Sequence, residues 1–285
     1  MIREYGPDVL RYIDTVLEGY LPQKDFPENI HDAVRYSLFG DGKRVRPFLM
    51  IAVSDMQGGD PSFIEPLFSA LEMIHTYSLI HADLPCMDDD DTRRGKPTNH
   101  IVFGYPVAVL AGDALLNMAF ETVLKAYGGI EPSMRERYIR AAGIISECSG
   151  ILGMVGGQVA DMMFDEKGDE PAALEYIYRC KTGALIRAAV LAGALSSPKA
   201  DEKVLAGLDR FAYCVGMLFQ LTDDILDMNG DLPEEGKMTY ISVYGLDHVR
   251  KMCTDLAREA GEILAGFEDS GVLRDFTQMI YNRKK

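Results

Sequence analysis

The chain has 285 residues, 47% hydrophobic and 26% charged, which suffices for one large core and excludes a disordered or fibrous protein. A net charge of −15 argues against nucleic acid as a partner, because a phosphate backbone is met by a basic surface. Five cysteines (Cys86, Cys148, Cys180, Cys214, Cys253) stand far apart without a CxxC pair, the pattern of reduced, mostly buried thiols in a cytoplasm, with Cys86 expected to be more exposed.

The opening segment, MIREYGPDVLRYID, has no apolar core and does not read as a signal peptide. Apolar residues then recur at helical spacing over 62–81, 107–127, 135–163, 172–195, 208–228 and 247–267. Glycine- and proline-bearing breaks separate them at 40–42, 58–61, 128–132, 167–171, 196–198 and 230–236. Strand signals are scarce, since Asn229-Gly230 follows a helix instead of joining two strands. No membrane span is expected: residues 101–120 are interrupted by Gly104, Pro106 and Asp113, and 184–195 are too short and carry Arg187. With no repeat and no linker long enough to divide it, the chain reads as a single all-α domain over 1–285.

Chemistry-bearing residues gather at four places. Gly42, Lys43, Arg44, Val45, Arg46 and Pro47 follow a glycine-bearing turn, and arginine forks and lysine point charges match phosphate oxygens. Next, in HADLPCMDDDDTRRGKPT (81–98), Asp83 and Asp88 to Asp91 precede Arg93, Arg94 and Lys96. Alone, such an acidic run is a solvated loop, but here it directly follows an apolar helix that Pro85 should end. Lys181-Thr182-Gly183 adds a cation within a helical stretch. Finally, Asp223 and Asp227 in FQLTDDILDM (219–228) lie four residues apart on one helical face, opposite Phe211, Val215, Leu218 and Ile225. Like charges at that spacing repel, so they call for a counter-ion, and magnesium takes one or two carboxylates plus substrate phosphates. An exposed amphipathic face is the competing reading of that segment.

In chain order, GKRVRP (42–47), EMIHTYSLIHADLPCMDDDDTRRGKPTNH (72–100), AVLAGDALL (108–116), GMVGGQVAD (153–161), KTG (181–183), FQLTDDILD (219–227) and GKMTY (236–240) resemble the trans-isoprenyl diphosphate synthases. The resemblance implies an isoprenoid synthase fold, a large helical bundle around a deep central cavity, as a homodimer. It implies Mg2+ held by Asp83, Asp88, Asp223, Asp224 and Asp227. Arg93, Lys181, Thr182 and Gln220 match positions around the allylic diphosphate and carry the catalytic role. Gly42, Lys43, Arg46, His75 and Arg94 match the isopentenyl diphosphate site, and Lys237 stands in the Gly-Lys that follows the second motif. The implied reaction is head-to-tail condensation of the two diphosphates by ionisation of the allylic C–O bond, with no side-chain nucleophile. Tyr77 is analogous to a chain-length position. It lies roughly 7.5 Å along the helix from Ala82, a floor that favours a fifteen-carbon product, although core packing accounts for it equally well.

Two departures bear on activity, and a third, at Asp41, is milder. Where the family's first motif opens with an aspartate ligand, this chain has Ala82, which offers no oxygen; Asp83 or Asp89 would have to substitute. The loop after Asp227 is short and lacks an additional Gly-Lys, and Asp41 replaces a usual glycine. The expectation is a working synthase, slowed or altered. The alternatives are a weak or inactive regulatory subunit of a heteromer, a cyclising or non-head-to-tail prenyl enzyme, an introduced substitution at Ala82 and, in another class, an acidic divalent-ion-binding helical protein.

Overall fold

The computed structural model describes residues 4–163, 171–228 and 239–283, and it is all-α apart from one two-stranded hairpin among those residues. The helices are α1 (Pro7–Tyr20), α2 (Glu28–Leu38), α3 (Val45–Gln57), α4 (Pro61–Ala82), α5 (Asn99–Phe103), α6 (Tyr105–Ala126), α7 (Arg135–Ser149), α8 (Met154–Met163), α9 (Pro171–Ile177), α10 (Ala184–Leu195), α11 (Glu202–Asp227), α12 (Tyr240–Tyr244), α13 (Leu246–Leu264) and α14 (Gly271–Tyr281). The hairpin pairs β1 (Thr92–Arg93) with β2 (Lys96–Pro97).

Two helices form the centre because they are apolar nearly all round. In α4, Asp60 caps the first turn by accepting from the Ser62 N–H at 2.9 Å, Pro61 pre-sets the first helical φ, and the helix packs against α3, α6 and α10. In α10, small residues allow close approach: a Cβ on Gly193 would stand 2.5 Å from the Met50 carbonyl of α3. The long α11 begins with Asp201 capping Val204 N–H at 2.8 Å; Phe211, Val215 and Leu218 lie in the core, and its last turns carry the second aspartate cluster. The first cluster follows the end of α4, so both acidic segments sit at C-terminal ends of core helices.

Two expected helices are interrupted. The run over 135–163 breaks at residues 150–153, where Gly153 lies so close to the Cys148 carbonyl that a Cβ would stand 2.0 Å from it. The run over 172–195 widens into a π-helical turn, Tyr178–Gly183, which inserts Lys181 and Thr182 ahead of α10. The hairpin was not expected. Arg94 and Gly95 both have positive φ (53° and 75°), the backbone of a tight two-residue turn, and Arg-Gly lacks the Asn-Gly signature of such turns. Of the cysteines, Cys86 is exposed and Cys148, Cys180, Cys214 and Cys253 are buried, all unbridged.

Candidate active site

The cationic part of the site forms where α3 begins. Arg44 adopts a left-handed backbone (φ 49°), and its guanidinium is buried, donating to Asp14 (2.9 Å), Glu72 (2.9 Å) and the Leu38 carbonyl (2.6 Å). Arg44 is thus a structural post that ties α3 to α1, α2 and α4, and it turns its neighbours toward the site. A Cβ on Gly42 would stand 2.8 Å from an Arg44 nitrogen and 3.2 Å from one of Arg94, so glycine is what lets these arginines close in.

Four more groups gather beside it. The Arg46 Nε is buried with no hydrogen-bond partner, and burial lowers the Arg46 pKa to about 10. His75 of α4 is held well below the ordinary imidazole range by burial and then by Arg46 and Arg94, so it is neutral at pH 7. Burial and Arg94 are also felt by Lys43, whose pKa is lowered, while Asp223 pulls it back up. Lys43 is the link between the cations and the second aspartate cluster.

At the first motif, Ala82 closes α4 and its carbonyl accepts from the Asp88 N–H at 2.9 Å. Asp83 does not face outward. It is only 4% exposed and accepts from Arg93 Nε at 2.6 Å, while Arg93 also lies 3.7 Å from Asp90. Burial raises the Asp83 pKa and Arg93 opposes that rise. These two expected site residues neutralise each other, and Asp88, Asp89, Asp90 and Asp91 beside them are all exposed.

At the second motif each aspartate has a different environment. Asp223 accepts from Arg283 at 2.5 Å. Asp224 accepts from the Tyr178 hydroxyl at 2.5 Å and from Gln220 Nε2 at 3.3 Å, whereas Asp227 is exposed. Burial raises the pKa of both Asp223 and Asp224, against Arg283 and Lys43 for the first and Tyr178 and Gln220 for the second. The π-helical turn delivers the remaining groups: Thr182 donates to Gln220 Oε1 at 2.9 Å, and Lys181 pairs with Asp161 of α8 at 2.5 Å.

The structure brings the expected residues into local groups, Gly42 with Arg94, Asp83 with Arg93, and Thr182 with Gln220 and Asp224, while Lys237 lies outside the described residues. Tyr77 is buried in α4 with its ring 5.7 Å from that of His81. Asp161, Tyr178 and Arg283 were not foreseen. Asp161 stands in a quoted motif, Tyr178 is three residues from Lys181, and Arg283 has no sequence signal near it.

Oxygen donors surrounding buried or half-buried cations fit a divalent metal with a diphosphate. Asp223 and Asp224 are carboxyls that burial makes reluctant to ionise, and Arg46 offers an unmatched donor. Among the described residues no three acidic, histidine or cysteine side chains converge as a ready-made cage. A cavity of about 70 Å3 adjoins Asp83, Arg93, Arg94 and Thr76. A larger groove of about 790 Å3 lies on another flank, against Cys148, Arg187 and Tyr213, and includes neither aspartate cluster.

The polyprenyl synthetase family model matches residues 27–260. A geranylgeranyl pyrophosphate synthase of Catharanthus roseus chloroplasts is 46% identical over 85% of this chain and 70% of its own length. The large subunit 1 of the heterodimeric geranylgeranyl pyrophosphate synthase of Arabidopsis thaliana, also chloroplastic, is 43% identical over 91% of this chain and 73% of its own. Among solved structures, an FPP/GFPP synthase from Zymomonas mobilis superposes with a TM-score of 0.86 at 34% identity, covering 96% of both chains. A geranyltransferase from Legionella pneumophila gives 0.88 at 30% identity over 97% and 95%.

Proposed function

The chain belongs to the polyprenyl synthetase family, and from that premise we propose that it condenses an allylic diphosphate with isopentenyl diphosphate head to tail, releasing inorganic diphosphate. One observation supports the reading: Arg94 closes on the Gly42 backbone, Arg46 keeps a buried Nε without a partner, and the charges of Arg46, Arg94 and Lys43 act on His75 or on Asp223. A plain acidic ion binder has no use for such cations.

Asp88, Asp223, Asp224 and Asp227 would hold magnesium, with Asp83 available only when Arg93 leaves it. Bound there, the metal supplies positive charge to a departing diphosphate. Lys181, Thr182, Gln220 and Arg93 bind the allylic diphosphate and orient its C–O bond, which breaks with the electron pair leaving on oxygen. Lys43, Arg46, Arg94 and His75 hold isopentenyl diphosphate so that its double bond attacks the allylic carbon. The adjoining carbon then loses a proton to the released diphosphate, and the buried walls of α4, α10 and α11 exclude water from the cation.

Tyr77 supports a fifteen-carbon product, although the plant relatives are named for geranylgeranyl diphosphate. The proposed assembly is a homodimer. Three helical runs, 105–129, 132–163 and 202–227, are long and apolar enough by length and composition to cross a membrane. Instead of lipid, the exposed Leu110 (58%), Leu124 (69%) and Ile139 (52%) on α6 and α7 would face a second copy. The free cysteines support a reducing, cytoplasmic setting. Ala82 and the engaged Asp83 favour a second reading, a weakly active subunit of a heteromer.

The test is release of inorganic diphosphate from isopentenyl plus geranyl diphosphate. Magnesium-dependent release, abolished by chelator, is expected; a folded protein that releases none contradicts the enzymatic reading.

A further inference from the structure

Arg283 stands two residues beyond α14, far along the chain from every motif, yet its NH1 lies 2.5 Å from Asp223 Oδ1. Its guanidinium carbon lies 5.6 Å from the Phe219 ring, and the pair is largely withdrawn from water, with side chains 23% and 29% exposed. The placement is built. Phe276 of α14 packs on Phe48 of α3 at 4.9 Å, and Tyr5 packs on both rings at 4.7 and 5.4 Å while its hydroxyl donates to the Lys43 carbonyl. Segments from near both ends of the sequence thus bring two cations, Lys43 and Arg283, to one carboxylate.

A carboxylate oxygen occupied by a guanidinium is not available to a metal, so the two compete. We infer that Arg283 is the resident counter-ion of Asp223, occupying that carboxylate until a divalent metal enters and then yielding it. Released, Arg283 remains beside Lys43, where a diphosphate's charge would retain it. Metal alone must therefore break the ion pair without compensation, whereas metal with diphosphate does not, so the two ligands bind with positive coupling. This inference rests on the proposed reading of the second cluster as a metal site.

The experiment is a titration of the full chain with Mn2+, followed by electron paramagnetic resonance of the free ion, with and without inorganic diphosphate. Wild type, Arg283→Gln, Arg283→Lys and Asp223→Asn are compared, with circular dichroism to confirm folding. Without diphosphate, Arg283→Gln should bind Mn2+ about tenfold more tightly than wild type, since a charge-assisted pair no longer opposes entry. Arg283→Lys should stay near wild type, and added diphosphate should narrow the gap. Equal affinities for wild type and Arg283→Gln, with binding lost in Asp223→Asn, overturn the counter-ion role while leaving the metal site intact. Absence of Mn2+ binding in every protein, with or without diphosphate, overturns the metal reading of the cluster and this inference with it.

Discussion

Replacing Tyr178 with phenylalanine isolates one atom of the site. The Tyr178 hydroxyl donates to Asp224 at 2.5 Å, both residues are buried, and Gln220 donates to Asp224 at a longer 3.3 Å. A buried hydrogen bond to a charged acceptor contributes about 1.5–3 kcal/mol, and phenylalanine keeps the ring that packs against Tyr240 at 5.0 Å. Burial already raises the Asp224 pKa and Tyr178 opposes the rise, so the substitution raises it further. The sign follows from linkage: the lost bond favoured the ionised form, so the destabilisation is full at pH above the folded Asp224 pKa and shrinks as pH falls through it. Denaturant melts at pH 8 should show a loss of about 1.5–3 kcal/mol, and melts near pH 4 a smaller one. If Asp224 must be ionised to act, the acid limb of the kcat/KM profile moves to higher pH, with a loss of roughly tenfold or more at neutral pH. Equal stability loss at both pH values, with an unmoved acid limb, would refute an electrostatic role for Tyr178 and leave only packing.

Tyr77→Met should lengthen the product by one five-carbon unit or more, read by chromatography of dephosphorylated products. The aromatic floor then drops toward Met73, four residues or about 6 Å below, and an unchanged product would remove Tyr77 from chain-length control. Arg44→Met should destabilise the chain by about 3–5 kcal/mol, because it strands the buried Glu72 carboxylate; a melting temperature within a degree or two of wild type contradicts the role of Arg44 as a post.

Much of this architecture was legible in the sequence where the physical signal is local. The apolar spacing marked α4 and α6 closely and α11 from its second turn onward, and the breaks at 40–42, 58–61, 128–132 and 196–198 fall at element boundaries, whereas 230–236 and most of 167–171 lie outside the described residues. The proximity of Arg46 and Arg94 to His75 is not readable from spacing, because residues from α3, α4 and the hairpin meet only in the fold. What escaped was geometry without a compositional mark. A π-helical turn at Tyr178–Gly183 has the same residues as an α-helical one, and only the extra residue per turn reveals it. Asp83 looked like any member of an acidic run, but at the end of α4 it is buried and met by Arg93, so its charge serves that pair first. Arg283 was invisible because its partner lies 60 residues away.

The central claim is tested most directly by product formation from labelled isopentenyl diphosphate and geranyl diphosphate, with unmodified protein and Ala82→Asp side by side, with and without magnesium. Magnesium-dependent farnesyl diphosphate is expected from the unmodified protein, and faster turnover from Ala82→Asp, which restores an oxygen where Asp83 is committed to Arg93. No prenyl product from either protein, both folded, would contradict that claim.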